Sequence, residues 1–336
     1  MSSSAAGGSG PASVSVVIPN RDGAHWLDGC FEGLSTQTFG DFEVVVVDNG
    51  STDGSEKVVR RGWPAATFVA LPGNMGFAAA ANAGIAVARG RYVALLNNDT
   101  VPRPAWLAAL VRTLDASAQD VGAVASKMLR MDDPQLVDDA GDSLSWTGAA
   151  RKLGHGEPAG LFVHPTEVLS VCAGAALYRR SFLEALGGFD ERFFAYLEDV
   201  DLGIRGRLAG YRYLFVPDAE VLHEGQGSEL PRADYVRLVT RNRAMLFAKS
   251  FPLSLLLKHL PRLIYGQIYF LLAYRHPGQS LRGYIDLLKV LPHIVSRRRA
   301  VSRRISVNAL DAMLTTGIDG PPMRALVRRA LGRLGL

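Results

Sequence analysis

Residues 42–55 read FEVVVVDNGSTDGS. Four consecutive valines show no alternation of apolar and polar residues, so the strand they form has both faces covered. That is the pattern of a parallel sheet with helices on each side. The run stops at Asp48 and gives way to turn formers, and Asp53 stands where a cap is wanted for a helix over Ser55 to Arg61. Strand, polar turn and the start of a capped helix in 14 residues are one unit of an α/β fold.

The same alternation extends outward. Val14 to Ile18 is a β-branched run ending at Pro19, followed by a helical pattern in Trp26, Leu27, Cys30, Phe31 and Leu34. Thr67 to Leu71 reads as a third strand, and Asn74 precedes an Ala-rich helix from about Gly76 to Ala88. Arg91 to Leu96 is a fourth strand, Pro104 opens a helix, and Val121 to Ser126 is a fifth strand. Residues 127–168, rich in glycine and in Asp132, Asp133, Asp138, Asp139 and Asp142, are expected as loops or a hairpin over the site. Leu169 to Leu177 is strand-like, Arg180 to Leu186 a short helix, and Glu198 to Ala209 a helix stopped by Gly210. Tyr213 to Val216 and Ala219 to Leu222 read as two short strands, and helices follow from about Ser228. The expected organisation is a disordered Ser/Gly/Ala-rich terminus (1–13), an α/β domain (14–228) and an amphipathic, basic helical region (229–336).

In such sheets ligands bind outside the carboxyl ends of the strands. Four successive strand ends carry polar clusters: Pro19-Asn20-Arg21, Asp48-Asn49-Gly50-Ser51, Gly73-Asn74 and Asn97-Asn98-Asp99. Together they make a binding edge. A carboxylate at the end of a buried strand, as Asp99 is, suits Mg²⁺ or Mn²⁺ with phosphate oxygens completing the shell. Asn97-Asn98-Asp99-Thr100 is also good turn chemistry, and Asp99 could cap the helix near Pro102. Asp48 is placed to accept a hydrogen bond from a ligand N–H, and Gly50 and Ser51 permit close backbone approach. Tyr196-Leu197-Glu198-Asp199-Val200-Asp201 puts three acids at a helix start, where the helix dipole favours them. Phe193, Phe194 and Tyr196 crowd that segment, and a desolvated carboxylate is a better proton acceptor. Glu198 and Asp201 share one helix face, while Asp199 points elsewhere. His223 closes the segment that these acids open, although a lone histidine more often serves structure.

Several classes are excluded. No GxGxxG follows the first strand, no GxxxxGK[ST] occurs, and GxSxG and HExxH are absent. The two cysteines, Cys30 and Cys172, form no CxxC, which argues for a reducing compartment and against zinc or iron–sulfur sites. With 48% apolar and 21% charged residues the chain is globular. The first 13 residues lack the apolar core of a secretory signal. The longest apolar stretch, residues 253–274, is broken by Lys258, His259, Pro261 and Arg262, so no membrane span is expected. The net charge of +5 hides an asymmetry, because residues 228–336 hold 19 Lys+Arg against 5 Asp+Glu. Basic tails attract nucleic acid or anionic membrane surfaces.

Six segments in order, VSVVIPNRDG, FEVVVVDNGSTDGS, NMGFAAAANAG, YVALLNNDT, GGFDERFFAYLEDVDLGIRGRLAGYRY and PDAEVLH, resemble the family 2 glycosyltransferases. These are inverting enzymes of GT-A fold, and the likeness runs from about Val14 to His223. The NxGFxxxxNxG and EDxDLxxRxRxxG segments are most similar to the rhamnosyltransferase-like subgroup that builds cell-surface glycans. The resemblance implies that Pro19 and Asn20 line the nucleotide edge and that Asp48 binds a uracil or thymine ring, with Gly50 and Ser51 beside it. It places Asn74, Asn97 and Asn98 against the sugar-nucleotide. Asp99 corresponds to the last residue of the DxD motif, which holds a divalent metal at the diphosphate. The motif reads Asn97-Asn98-Asp99 here, with one carboxylate. His223 matches an additional metal ligand and Asp199 the catalytic base, with Tyr196, Glu198 and Asp201 supporting or on the acceptor side.

The expected function is metal-dependent inverting transfer from dTDP-rhamnose or a UDP-sugar to a glycan or polyprenyl-linked acceptor in cell-wall or polysaccharide biosynthesis. The alternatives are a catalytically degenerate sugar-nucleotide- or glycan-binding member and, with less support because no GxGxR segment occurs early, a nucleotidyltransferase. The tail helices, such as SLRGYIDLLKVLPHIVSRRRAVSRRIS (280–306), pair apolar faces with basic edges, which suits a membrane interface. The chain is therefore expected in the cytoplasm, peripheral on the inner face of the plasma membrane. Nucleic-acid partners are not expected, since stacking platforms and recognised modules are missing.

Overall fold

The computed structural model describes residues 12–225, 230–300 and 303–333. The terminus expected to be disordered over 1–13 falls almost wholly outside these residues, as does the expected boundary at 228/229. The strands are β1 (Val14–Asn20), β2 (Phe42–Asp48), β3 (Thr67–Ala70), β4 (Tyr92–Leu96), β5 (Thr100–Pro102), β6 (Val121–Arg130), β7 (Val137–Asp139), β8 (Asp142–Leu144), β9 (Ala150–Lys152), β10 (Thr166–Glu167), β11 (Ala175–Arg179) and β12 (Arg212–His223). The α/β half carries helices α1 (Ala24–Ser35), α2 (Ser55–Gly62), α3 (Phe77–Val87), α4 (Trp106–Ala116), α5 (Arg180–Leu186) and α6 (Glu198–Leu208).

The main sheet runs β10-β12-β6-β11-β4-β1-β2-β3. Neighbours β4/β1, β1/β2, β2/β3 and β6/β12 are parallel, and β11 is inserted antiparallel between β4 and β6. The sheet is therefore mixed and mostly parallel, with helices on both faces. The valines of β1 and β2 are buried, one set against α1 and α4 and the other against α3. Helix α3 lies unusually close to β1. A Cβ on Gly84 would stand 2.2 Å from Val17 Cγ1, so only glycine permits this approach.

Several local expectations are corrected. The N-cap of α2 is Gly54, not Asp53. The Asp53 carboxylate still accepts the Ser55 N–H at 3.0 Å but spends its other oxygen on the Ala24 N–H at 2.7 Å, tying α2 to α1. Asp99 caps no helix, since α4 starts after Ala105 without a side-chain cap. Strand β6 runs on to Arg130, and the segment after it contains the β8–β9 hairpin. Of the run 169–177 only the stretch from Ala175 joins the sheet. The backbone before it is committed elsewhere: Gly174 O accepts the Asn97 N–H at 2.8 Å and the Ala173 N–H points to Asp199 at 3.3 Å. The two short strands expected over 213–222 are a single strand, β12. Pro217, Asp218 and Ala219 bulge from it with no partners in β6.

The C-terminal third is helical: α7 (Arg232–Ser250), α8 (Leu253–Lys258), α9 (Leu260–Tyr274), α10 (Pro277–Lys289), α11 (Leu291–Ala300), α12 (Val307–Ala312) and α13 (Met323–Arg333). Met245, Leu246, Phe247 and Phe251 share an apolar core with Val200, Ile204 and Leu208 of α6 and with Phe193. Helix α7 thus packs directly behind the three acids at the start of α6. No helix among the described residues is long and apolar enough to cross a membrane.

Candidate active site

The carboxyl ends of β1, β2 and β4 bring the expected donor-side residues together. Asn20 is buried and connects all three. Its amide reaches Asp48 Oδ1 at 3.4 Å and Ser51 Oγ at 3.3 Å, and its Oδ1 accepts from Asn98 Nδ2 at 2.7 Å. Asp48 Oδ2 accepts the Ser51 N–H at 3.2 Å, shaping the turn in which Gly50 has φ 76°. A Cβ on Gly50 would meet Gly73 Cα at 2.5 Å, so the turn after β2 lies against the turn after β3. Pro19 pairs with Val47 in register, one residue before Asn20.

Asn49, which the sequence places in the polar cluster after β2 without a role of its own, has one in the fold. It is buried, donates to Asn74 Oδ1 at 3.2 Å and Gly76 O at 3.3 Å, and accepts the Met75 N–H at 2.8 Å. It thereby holds Asn74 and the entry to α3 against β2. Its signal was its place in DNGS, directly after a buried strand.

Asp99 and His223 lie far apart in sequence and meet because β5 pairs antiparallel with β12, setting Thr100 opposite His223. His223 Nε2 lies 3.5 Å from Asp99 Oδ1, and both side chains are buried. His223 Nδ1 contacts Asp138 Oδ2 at 2.8 Å, and Lys152 Nζ contacts the same carboxylate at 2.7 Å. Burial works against a charged His223, but its bonds to Asp138 and Asp99 outweigh that and raise its pKa to about 9. Burial likewise pushes Asp138 up, and His223 and Lys152 outweigh it, holding the carboxyl well below the usual range.

This arrangement fits a divalent cation. A ligating imidazole is neutral and normally turns its other nitrogen to a carboxylate, as His223 does to Asp138; a cation would displace the Nε2 proton that faces Asp99. No group of three or more His, Cys, Asp or Glu side chains placed to hold a metal occurs among the described residues. Asp99 and His223 would therefore share the ion with oxygens from the ligand and water. Asp138 and Lys152 were hidden in the glycine-rich excursion, whose strands are too short to show a period.

Asp199, in the first turn of α6, accepts the Ala173 N–H at 3.3 Å and the Val200 N–H at 2.7 Å. Burial raises its pKa above the ordinary 3.8, and these backbone bonds oppose the rise. Glu198 is buried and raised well above its usual value by burial and by the neighbouring Asp199 charge. Its Oε2 has no hydrogen-bond partner among the described residues. Asp139, also buried, is pushed up to about 7 by burial, with the charges of Asp138 and Asp199 adding to the rise. Tyr196 packs edge-on against Tyr235 at 4.9 Å. Asp201 is engaged elsewhere: it pairs with Arg205 at 2.8 Å and with Lys249 at 2.7 Å, fully buried.

One bridge joins the two halves of the site. Ala173 donates to Asp199, and the next residue, Gly174, accepts from Asn97. A base candidate and the end of β4 are thus fixed to consecutive residues of one segment.

Comparison with known proteins settles the family. The model of "Glycosyl transferase family 2" matches residues 15–187. The chain belongs to glycosyl transferase family 2. As a family 2 chain it is 31% identical over 258 residues to the O-antigen biosynthesis protein RfbC of Myxococcus xanthus, covering 72% of this chain and 20% of that protein. It is 31% identical over 235 residues to an N-acetylglucosaminyl-diphospho-decaprenol L-rhamnosyltransferase of Mycobacterium tuberculosis, covering 62% of this chain and 74% of that one. This family 2 chain thus spans only a fifth of the first relative's length. Among solved structures it is similar to a mannosyltransferase of Pyrobaculum calidifontis, at a TM-score of 0.51 and 22% identity, over 90% of this chain and 79% of that one. That likeness shows the shared fold.

Proposed function

We propose that the chain is an inverting glycosyltransferase using a dTDP- or UDP-sugar, with dTDP-rhamnose the leading donor and a polyprenyl-linked or cell-surface glycan the acceptor. The observation that carries this reading is the Ala173–Gly174 bridge, which fixes Asp199 and the Asn97-Asn98-Asp99 turn to one another across the site. Asp199 takes the proton from an acceptor hydroxyl. The oxygen forms a bond to the anomeric carbon from the face opposite the nucleotide. The bond from that carbon to the diphosphate oxygen breaks, and its electron pair leaves with the nucleoside diphosphate. Asp48, braced by Asn20 and Ser51, receives the base, while Asn49 and Asn74 hold the entry to α3 against the sugar-nucleotide.

Asp99 and His223 would hold Mg²⁺ or Mn²⁺, which supplies charge neutralisation at the leaving diphosphate. The mannosyltransferase of the same fold was solved with GDP-mannose and Mn²⁺, and the mycobacterial relative is named for rhamnose transfer to a decaprenol-linked acceptor; both support the reading.

The test is a panel of UDP-, dTDP- and GDP-sugars with and without Mn²⁺ or Mg²⁺, read by thermal shift and nucleoside diphosphate release. A UDP- or dTDP-sugar is expected to stabilise the protein and be consumed with metal present. Asp99→Ala should remove the metal-dependent part of both signals. Binding without turnover would favour the degenerate-member reading, and no binding by any sugar nucleotide would remove the transferase reading.

The tail supports association with an anionic membrane surface. Leu253, Leu257, Leu260, Ile264 and Ile268 form an exposed stripe at helical spacing along α8 and α9, and Leu281, Ile285 and Leu288 another along α10. Lys258, Arg262, Arg275, Arg282 and Lys289 lie among them. Inserted leucines add apolar burial, and each basic residue near anionic lipid adds about 1 kcal/mol. In co-sedimentation, the protein should bind phosphatidylserine-containing vesicles more tightly than neutral ones. Leu257→Asp with Leu288→Asp should lower that binding by at least about tenfold, since a buried leucine contributes about 1.5–3 kcal/mol. Equal binding of wild type and variant would refute this role for the stripes.

A further inference from the structure

The segment that delivers the acids to α6 has an unusual backbone. Phe194, Tyr196 and Leu197 all have positive φ, at 66°, 70° and 69°. Bulky side chains seldom adopt this region, and each such residue is strained unless its surroundings impose it. Residues 194–197 therefore need an external restraint.

That restraint comes from α7. Asn242 is fully buried, and its amide shares two N–H groups among three carbonyls of the segment: Phe193 O at 2.9 Å, Ala195 O at 2.8 Å and Tyr196 O at 2.8 Å. Its Oδ1 accepts from Arg241 Nε at 2.9 Å, which orients the amide. Arg241 itself donates to Arg192 O at 2.9 Å and Phe193 O at 2.8 Å. The opposite side of the segment touches the donor-side helix, where Phe194 O accepts the Ala78 N–H at 3.2 Å and lies so close to Gly76 that a Cβ there would sit 2.4 Å away.

We infer that Asn242 is a positioning residue: it holds the 193–197 segment in its strained form and thereby sets where Asp199 meets the acceptor hydroxyl. The chemistry suits asparagine. The five carbonyl bonds made by Arg241 and Asn242 need donors, and only a side-chain amide offers two N–H groups to the segment while accepting from its neighbour. The inference rests on the reading of Asp199 as the base. It goes beyond it by making the C-terminal helices part of the catalytic geometry.

The test compares Asn242→Ala, Arg241→Ala and Asp199→Asn in the full chain, measuring kcat and, separately, donor affinity by calorimetry. Asn242→Ala is expected to lower kcat about 10–100-fold, the effect of an ångström-scale misplacement, with donor affinity within about threefold of wild type. In the Asp199→Asn background, whose residual turnover is followed with excess enzyme, Asn242→Ala should add almost nothing, because the two residues act through one proton transfer. A general packing defect would instead add in full. If Asn242→Ala does not fold, Arg241→Ala, which leaves the amide in place but frees its orientation, is judged by the same two criteria. Unchanged kcat, a loss confined to donor affinity, or full additivity with Asp199→Asn overturns the inference. Unchanged turnover in Asp199→Asn alone instead refutes the base assignment, and is read independently of Asn242.

Discussion

Asp199→Asn is expected to lower kcat by about 10²–10⁴, the range general-base catalysis supplies, with little change in nucleotide-sugar affinity. The substitution keeps the shape but leaves one oxygen for the two N–H donors, Ala173 and Val200, that the carboxylate accepts on separate oxygens; with that oxygen turned to Ala173 the bridge to Asn97 is kept while the proton acceptor is lost. The pH profile gives a second signature. Burial raises the Asp199 pKa above the usual 3.8. The base works only when ionised, so activity is lost as pH falls through that raised value. The acid limb of the kcat profile should therefore lie at higher pH than an ordinary aspartate gives, and should vanish from the residual activity of Asp199→Asn. Initial rates at saturating donor across the acid range check both points. A variant that retained wild-type kcat would place the base elsewhere.

The second large effect is on stability. Lys249 is expected to cost about 3–5 kcal/mol when replaced by Ala, because two buried carboxylates lose their shared cation. Its ammonium lies 2.5 Å from Asp190 Oδ2 and 2.7 Å from Asp201 Oδ1, with all three side chains nearly inaccessible. Asp190 keeps His293 at 2.8 Å and Asp201 keeps Arg205 at 2.8 Å, so the loss is partial. Lys249→Met, which restores most of the volume, should lose nearly as much, since the cost is electrostatic. Burial pushes the Asp190 carboxyl up, and Lys249 and His293 outweigh it, holding it below the usual range. Its contribution to stability is therefore present above the ordinary carboxylate pKa and is lost as pH falls through its lowered value, so the gap between wild type and variant should narrow in acid. Urea unfolding at neutral and acidic pH, with the slope held constant, measures both.

Much of the α/β half was legible because its strands are unbroken β-branched runs and its ligand-facing polar clusters fall at strand ends. FEVVVVDNGS announces β2 and the turn behind it in ten residues. The excursion after β6 was opaque for a physical reason: β7, β8 and β9 have three residues each, too few for a period, so Asp138 and Lys152 looked like loop charges. Part of the tail's charge is spent inside the fold. Counted as charge, Arg243 and Lys249 belong to a surface that attracts anions. In the fold both are buried, Lys249 between two aspartates and Arg243 against the Phe270 ring at 3.6 Å. Composition cannot distinguish a solvated cation from one spent inside the core, because that depends on contacts between residues tens of positions apart in the chain. Asn242 was invisible for the same reason: nothing local marks it as a partner for the carbonyls before α6.

The bulge in β12 has a consequence for how this site can change over generations. Pro217, Asp218 and Ala219 are slack between two paired stretches of the β6 ladder, and the stretch beyond them sets His223 against Arg130 of β6 and Thr100 of β5. Side chains alternate faces along a strand, so a one-residue slip of that stretch against β6 would turn His223 away from Asp99, whereas a residue gained or lost inside the slack leaves both flanks in register and His223 in place. The bulge works as a buffer: a change of length at this point is absorbed there, and the pairing of the two buried side chains is spared.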